Sequence, residues 1–129
     1  MARLKSDLVD ICLSTIEGDL AERDTLWDTR AALGVVMAAG GYPSSYEKGK
    51  VISGLENADS NTQKVFHAGT ALDGDSVLTS GGRVLCVVGL GHTVADAAAD
   101  AYAAVAKIDW EDVYYRNDIG HRAIARENA

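Results

Sequence analysis

Two runs of strand-forming residues separated by a pair of glycines restrict the possible folds of this chain most strongly. Residues 77–80 (Val-Leu-Thr-Ser) precede Gly81-Gly82, and residues 83–88 (Arg-Val-Leu-Cys-Val-Val) follow it. Tight turns between paired strands need positive φ angles, which glycine adopts without steric cost. The pattern therefore predicts a β-hairpin, and with it an antiparallel sheet.

Three further segments have the composition of strands. Residues 31–39 form a continuous apolar run that ends at Gly40-Gly41, and such a run predicts a central strand buried on both faces. Shorter runs at residues 50–53 and 63–70 favour two more strands. Together with the predicted hairpin they supply enough strands for one sheet.

Helical periodicity marks both sides of this strand-rich region. Apolar residues recur at helical spacing over residues 4–17, and Gly18 follows them as a stop signal. A second helix is predicted after Thr93, which forms a capping-box pattern with Asp96, and the tail favours a short final helix. The chain has too few crossover helices for a doubly wound parallel sheet. The order of the predicted helices and strands therefore indicates an α+β fold. We expect a largely antiparallel sheet with helices packed on one side.

Composition excludes several classes of partner and location. The chain has 12 Lys and Arg against 19 Asp and Glu, which gives a net charge of −7, and no basic run is present. This balance argues against nucleic-acid and anionic-membrane partners. No apolar stretch, residues 84–90 included, is long enough to cross a bilayer, so we expect a cytoplasmic protein. Cys12 and Cys86 lie in apolar runs and are expected to be free core thiols rather than a disulfide.

Motifs for nucleotide, metal and hydrolytic sites are incomplete. Gly89-Leu90-Gly91 lies between a predicted strand and a predicted helix, but Val94 occupies the position of the third glycine of a dinucleotide fingerprint. The P-loop and nucleophile-elbow motifs are absent, and the three histidines are far apart without ligand-like spacing. We therefore predict no metal-binding, cofactor-binding or catalytic residues in this chain.

Glycine-flanked polar residues at strand ends are the better candidates for a binding site. The glycines of Gly40-Gly41-Tyr42-Pro43 would let backbone N–H groups approach a ligand, although a plain turn explains them equally well. Arg83 begins a strand after two glycines, and Arg116 with Asp118 precedes Gly120. Arginine binds phosphate and carboxylate groups in bidentate geometry, but most arginines are solvated surface residues.

Six sequence blocks, in order along nearly the whole chain, resemble the C-terminal part of the phosphoribosylamine–glycine ligase family. Two examples are Gly-Gly-Tyr-Pro at residues 40–43 and Tyr-Arg-Asn-Asp at residues 115–118. The complete blocks are residues 3–8, 34–43, 46–49, 65–70, 81–87 and 115–120. The resemblance implies an ATP-grasp ligase and, for this part of it, a hybrid-motif-like α+β fold.

The resemblance also implies a reaction and its cofactors. In this family ATP, with Mg²⁺ or Mn²⁺, phosphorylates the glycine carboxylate. The amine of 5-phosphoribosylamine then attacks the glycyl phosphate to give glycinamide ribonucleotide, ADP and phosphate in de novo purine biosynthesis. Phosphoryl transfer of this kind depends mainly on positioning and on neutralising charge.

The family's nucleotide-binding lobes and its Asn-x-Arg-x-Gly-Asp-Pro-Glu stretch, which supplies magnesium ligands, would precede this chain. We expect residues 1–28 to be a helix and connecting segment leading from such a lobe, and residues 29–129 to be the C-terminal α+β domain. The chain alone is then expected to bind neither ATP nor Mg²⁺ and to be inactive. The remainder of the enzyme would be its partner, and exposed apolar surface would favour self-association.

The resemblance assigns roles to seven residues. Gly40, Gly41, Tyr42 and Pro43 are expected to form a turn that lines the substrate cleft. Arg83, Arg116 and Asp118 are expected to contact the ribose phosphate or the neighbouring lobe, and an internal salt bridge between Arg116 and Asp118 is an equal alternative. A stand-alone, non-catalytic binding or assembly module is the alternative for the whole chain. The reading frame upstream of Met1 would discriminate between the two.

Overall fold

The computed structural model describes residues 1–127 and 129 and contains both helices and antiparallel strands. The elements are α1 (Leu8–Glu17), β1 (Ala31–Ala38), β2 (Gln63–His67), β3 (Thr70–Asp73), β4 (Ser76–Thr79), β5 (Arg83–Gly91), α2 (Val94–Val105) and α3 (His121–Glu127). Two short 3₁₀ turns lie at Leu20–Glu22 and Leu55–Asn57. No helix in the described residues is long and apolar enough to span a membrane.

The strands form two antiparallel sheets. The larger sheet has the order β1-β5-β2, so β5 is its central strand, and β3 pairs with β4 in a separate two-stranded sheet. Val87 of β5 lies opposite Val35 on one side and opposite Val65 on the other. With α2 packed against the sheet, the predicted α+β class with antiparallel pairing is confirmed.

The predicted hairpin at Gly81-Gly82 is wrong. β4 pairs with β3 through the turn at Gly74, whereas β5 belongs to the other sheet. Neither Gly81 nor Gly82 has a positive φ. They are needed for close contact instead, because a Cβ on Gly82 would lie 2.3 Å from the Tyr42 ring.

The prediction of a central β1 buried on both faces is also wrong. β1 lies at the edge of the sheet, and its side chains alternate: Leu33, Val35 and Met37 are buried, whereas Val36 is 43% exposed. The run looked uniformly apolar because the outward side chains are apolar too. Residues opposite one another in the register share this outward side. We call it the open face, and it comprises Ala32, Gly34, Val36, Lys64, Phe66, Cys86, Val88 and Leu90, which are apolar apart from Lys64.

The other face of the sheet is covered by α2. The predicted capping box is present, since Thr93 Oγ1 accepts from Asp96 N and the Asp96 carboxylate accepts from Thr93 N. Small side chains bring the helix close to β5: a Cβ on Gly89 would lie only 2.2 Å from the carbonyl oxygen of Ala97. The buried residues of α2 are Ala97, Ala98, Ala101, Ala104 and Val105.

The N-terminal segment packs differently. α1 is capped by the Asp7 carboxylate, which accepts from Val9 N at 2.7 Å, and it ends at Gly18 with φ 84° as predicted. Its apolar side chains are largely exposed, with Val9 at 65% and Ile16 at 82%. Cys12 on this helix is exposed, which contradicts its expected core role, whereas Cys86 is half-buried. Both thiols are free.

Candidate functional site

A tight turn after β1 carries the first group of predicted site residues. Gly40 lies directly against Asp112, where a Cβ would be 2.5 Å from the Asp112 Cβ. Gly41 has φ 88°, and a Cβ there would lie 2.2 Å from the Ser45 carbonyl oxygen. Both positions therefore require glycine. The turn presents Tyr42 and the exposed Pro43, joined by a cis peptide bond, at the surface.

Tyr42 lies where three surface depressions meet. Its ring contacts Gly82 and lies 6.2 Å from the ring centroid of Tyr46. One depression, of about 280 Å³, is mainly apolar and has two arginines in its lining, and we call it the Tyr42 groove. It is lined by Gly34, Val36, Ala38, Tyr42, Arg83, Tyr114, Tyr115, Arg116 and Ile119. A neighbouring depression of about 480 Å³ includes Gly40 and Gly41 in its lining.

Arg83 supplies an uncommitted positive charge to this groove. Its side chain is exposed at the start of β5. Among the described residues its guanidinium takes part in no hydrogen bond or ion pair, whereas Arg23, Arg30 and Arg116 are each paired with an aspartate. A guanidinium in this situation can bind an anion through two parallel N–H groups.

Arg116 and Asp118 are paired with each other. Arg116 Nε and Nη2 donate to the Asp118 carboxylate at 2.8 and 2.7 Å. The Arg116 guanidinium hydrogen-bonds to Asp118 and holds the pKa of that carboxyl below its usual range, and the carboxylate raises the pKa of Arg116. Tyr102 Oη donates to the Arg116 carbonyl at 2.7 Å and holds this segment in place. The pair thus takes the internal salt-bridge arrangement while Arg116 still lines the groove.

Sequence reasoning missed an ion-pair cluster beside the Gly40 turn. Lys50 Nζ lies 2.8 Å from a Glu47 carboxylate oxygen and 2.5 Å from one of Glu111. Hydrogen bonds to these two carboxylates raise the pKa of Lys50, and the ammonium lowers the pKa of Glu47. The spacing of Glu47 and Lys50 is a local signal for one pair. The contact with Glu111 comes from the fold and leaves no local sequence signal.

The backbone amides at the start of α2, where an anion could bind, are hydrogen-bonded by a carboxylate of the same chain. The Glu127 carboxylate of α3 accepts from Val94 N at 2.8 and 3.0 Å. Val94 N lies at the start of α2, and without Glu127 it would be available to a phosphate. Within the described residues no group of three or more His, Cys, Asp or Glu side chains could hold a metal ion.

Comparison with known proteins places this arrangement in a family. The model for "Phosphoribosylglycinamide synthetase, C domain" matches residues 32–122, which include all of β1 except Ala31, the Tyr42 groove and the Arg116–Asp118 pair. The chain belongs to this family. Residues 40–43, 83, 116 and 118 therefore all lie within the matched C domain.

Individual relatives match this chain over essentially its whole length. It is 57% identical over 129 residues to phosphoribosylamine–glycine ligase of Allochromatium vinosum, covering 100% of this chain and 30% of the relative. It is 59% identical over 128 residues to the protein of that name from Escherichia coli O157:H7, covering 98% of this chain and 30% of the relative. The chain thus spans about 30% of the length of these curated relatives.

A solved structure shows the same fold. The crystal structure of phosphoribosylamine–glycine ligase from Thermotoga maritima matches the C domain with a TM-score of 0.67 and 30% sequence identity. The match covers 87% of this chain and 28% of that one. The solved structure therefore supports both the family assignment and the antiparallel α+β fold.

Proposed function

We propose that this chain is the C-terminal part of a ligase that joins glycine to 5-phosphoribosylamine, with cleavage of ATP to ADP and phosphate. ATP phosphorylates the glycine carboxylate, and the amine of phosphoribosylamine attacks the glycyl phosphate, which expels phosphate and forms glycinamide ribonucleotide. The supporting observation is the identity of more than half of all residues, along the whole chain, to proteins named for this reaction. The proposal places the protein in de novo purine biosynthesis in the cytoplasm.

ATP and Mg²⁺ are required for that reaction, but the described residues offer no site that fits them. They contain no metal-holding cluster, and the Glu127 carboxylate takes the amide position at the start of α2 where a phosphate could bind. ATP and the metal would be bound by the remainder of the enzyme.

The proposed contribution of this chain is one wall of the cleft that holds phosphoribosylamine. The Arg83 guanidinium is uncommitted and lines the Tyr42 groove, so it would bind the ribose phosphate in bidentate geometry. Tyr42 and Tyr114 give the groove an apolar, aromatic wall for the sugar. Arg116, oriented by Asp118, would add a second positive charge near the phosphate.

The proposed macromolecular partner is the rest of the same enzyme, which would cover the apolar surfaces that this chain leaves exposed. One is the open face, where Val36 and Phe66 are 43% and 39% exposed. The other is the outer side of α1, with Val9, Leu13 and Ile16. Contiguous apolar surface of this kind marks interaction sites in soluble proteins. In isolation, the same surfaces would favour self-association.

An activity assay on a fusion tests the proposal. The 129 residues replace the matching C-terminal 30% of the Escherichia coli relative, and ADP release is measured with glycine and phosphoribosylamine. We expect release that needs both substrates, and no release from the 129-residue chain alone. A folded but inactive fusion would contradict the proposal and favour a non-catalytic module.

Substitution of Arg83 tests the groove within the same fusion. A charge-assisted bidentate hydrogen bond contributes about 1.5–3 kcal/mol, so Arg83→Ala should raise the KM for phosphoribosylamine at least about 10-fold. The KM for glycine should not change. Arg122→Ala removes another exposed arginine outside the groove and serves as the matched control. If the Arg83→Ala and Arg122→Ala variants have equal KM values for phosphoribosylamine, Arg83 does not bind this substrate.

Light scattering tests the partner surface. The isolated chain should self-associate as its concentration rises, and Val36→Lys on the open face should reduce this. Leu72→Lys is the control, since Leu72 is 78% exposed on β3 but lies outside the open face. A wild-type chain that stays monomeric at high concentration and binds no apolar dye would contradict the proposal.

A further inference from the structure

A small cavity lies between the Gly40 turn and the Lys50 ion pairs. Its volume is about 40 Å³. A cavity needs about 10–15 Å³ of space open to a water-sized probe to hold a water molecule, so this one has room for water. Neither glycine nor a sugar phosphate would fit. The polar residues that line it are Glu47, Lys50, Thr79, Trp110, Glu111 and Asp112.

Two residues that line this cavity carry a buried donor without a protein acceptor. Trp110 is 4% exposed, and its Nε1 has no hydrogen-bond partner. Thr79 is 2% exposed, and its Oγ1 accepts from Lys50 N at 3.1 Å. Within residues 1–127, the Thr79 hydroxyl donates to no acceptor. Buried donors are almost always paired, with ordered water where protein atoms are lacking.

The charges around the cavity decide what kind of molecule can pair with these donors. A cation cannot accept a hydrogen bond from an indole N–H or a hydroxyl. An anion would face three carboxylates, from Glu47, Glu111 and Asp112, against the single ammonium of Lys50. Water accepts two hydrogen bonds and also donates two. Water therefore satisfies both donors and can donate to the surrounding carboxylates.

We propose that this cavity holds one ordered water molecule, which accepts hydrogen bonds from Trp110 Nε1 and Thr79 Oγ1 and donates to the lining carboxylates. The water links three segments that are distant in sequence: the end of β4, the Glu47–Lys50 turn and residues 110–112. Because Gly40 lies against Asp112 and also lines the cavity, the water helps to position the turn that carries Tyr42.

A crystal structure of the 129-residue chain at a resolution that shows ordered water tests this directly. We expect one water oxygen about 2.7–3.2 Å from both Trp110 Nε1 and Thr79 Oγ1. An empty cavity would overturn the proposal. So would an indole N–H bonded to a protein oxygen, or a heavier ion in place of water.

A solution experiment adds a test that does not depend on crystals. Trp27 is 52% exposed and its Nε1 donates to Thr25, so Trp27→Phe leaves Trp110 as the one indole in the chain. In that variant we expect a nuclear Overhauser cross peak between the Trp110 indole proton and a bound water. Trp110→Phe in the wild-type background should remove the water from the crystal structure. The wild-type map and the Trp27→Phe spectrum decide the question even if Trp110→Phe fails to fold.

Discussion

Replacing Gly89 with alanine tests how the sheet holds α2. A methyl group at Gly89 would lie 2.2 Å from the Ala97 carbonyl oxygen and 2.4 Å from the Ala101 nitrogen. Both are backbone atoms of a helix, so no side chain can rotate away. To restore ordinary contact, α2 would have to move by about 1 Å, which forfeits a quarter to a half of the dispersion attraction at each affected contact.

The size of the effect follows from these distances. Overpacking a core costs about 1–3 kcal/mol, and contact with a rigid backbone places Gly89→Ala at the upper end, at about 3 kcal/mol. Alanine has less conformational freedom than glycine in the unfolded chain, which offsets about 0.5–1 kcal/mol of this cost. We expect a net loss of about 2 kcal/mol in the free energy of unfolding. With a urea dependence of about 1–3 kcal/mol per M, the unfolding midpoint should fall by about 1 M.

The matched control is Gly34→Ala, in β1 on the open face. There the added methyl would meet side-chain atoms, Cys86 Sγ at 3.1 Å and Val88 Cγ2 at 3.6 Å. These atoms can adjust, so the urea midpoint should stay close to that of the wild type, within the equivalent of about 0.5 kcal/mol. If both variants unfold at the same urea concentration, backbone contact does not control the packing of α2.

Three further predictions concern individual side chains. Glu127→Ala removes the carboxylate from the first amides of α2 and should lower the free energy of unfolding by about 1 kcal/mol in urea titration, with Glu127→Gln losing less. Because Arg116 lowers the pKa of Asp118 below 3.8, this pair stabilises the fold at neutral pH. The stabilisation should be lost as the pH falls through the lowered value, and an Asp118 pKa of 3.8 or more by NMR titration would contradict this. Exposed Cys12 should react with a thiol reagent before Cys86, since burial raises the pKa of the Cys86 thiol; mass spectrometry after partial labelling gives the order.

Helices were predictable from sequence because their signals are local. The Thr93 and Asp96 side chains cap the same turn that they belong to, and Gly18 ends α1 through its own backbone conformation. Neither depends on distant parts of the chain. The positions of α1 and α2 could therefore be inferred from short windows of sequence.

Strand pairing could not be inferred in the same way. Gly81-Gly82 suggested a turn, whereas these glycines make room for Tyr42 and Gly69. The actual hairpin turn contains Gly74, between Asp73 and Ser76. The two residues between these strands are Gly74-Asp75, and a Gly-Asp pair between short strands is a recognised hairpin signal, so this turn could have been found. The partners of β5 could not, since both lie far away in sequence.

The sequence suggested candidate site residues, whose roles stay predictions, but it did not suggest their geometry. Gly40, Gly41, Tyr42, Arg83 and Arg116 line adjoining depressions, which no periodicity indicates. Ion pairs with distant partners are invisible in a single sequence for the same reason. Recognition of the family supplied what local patterns lacked.

The placement of β5 has a consequence for the order of folding. Ala31 at the start of β1 pairs with Gly91 at the end of β5, so within this segment the strand that is synthesised first has to wait for the one synthesised last. Until then β1 keeps its apolar side chains and backbone groups unpaired, a state that is slow to resolve and prone to association. The chain should therefore be most prone to association while it is still on the ribosome, after β1 has been synthesised and before β5 has left the ribosome.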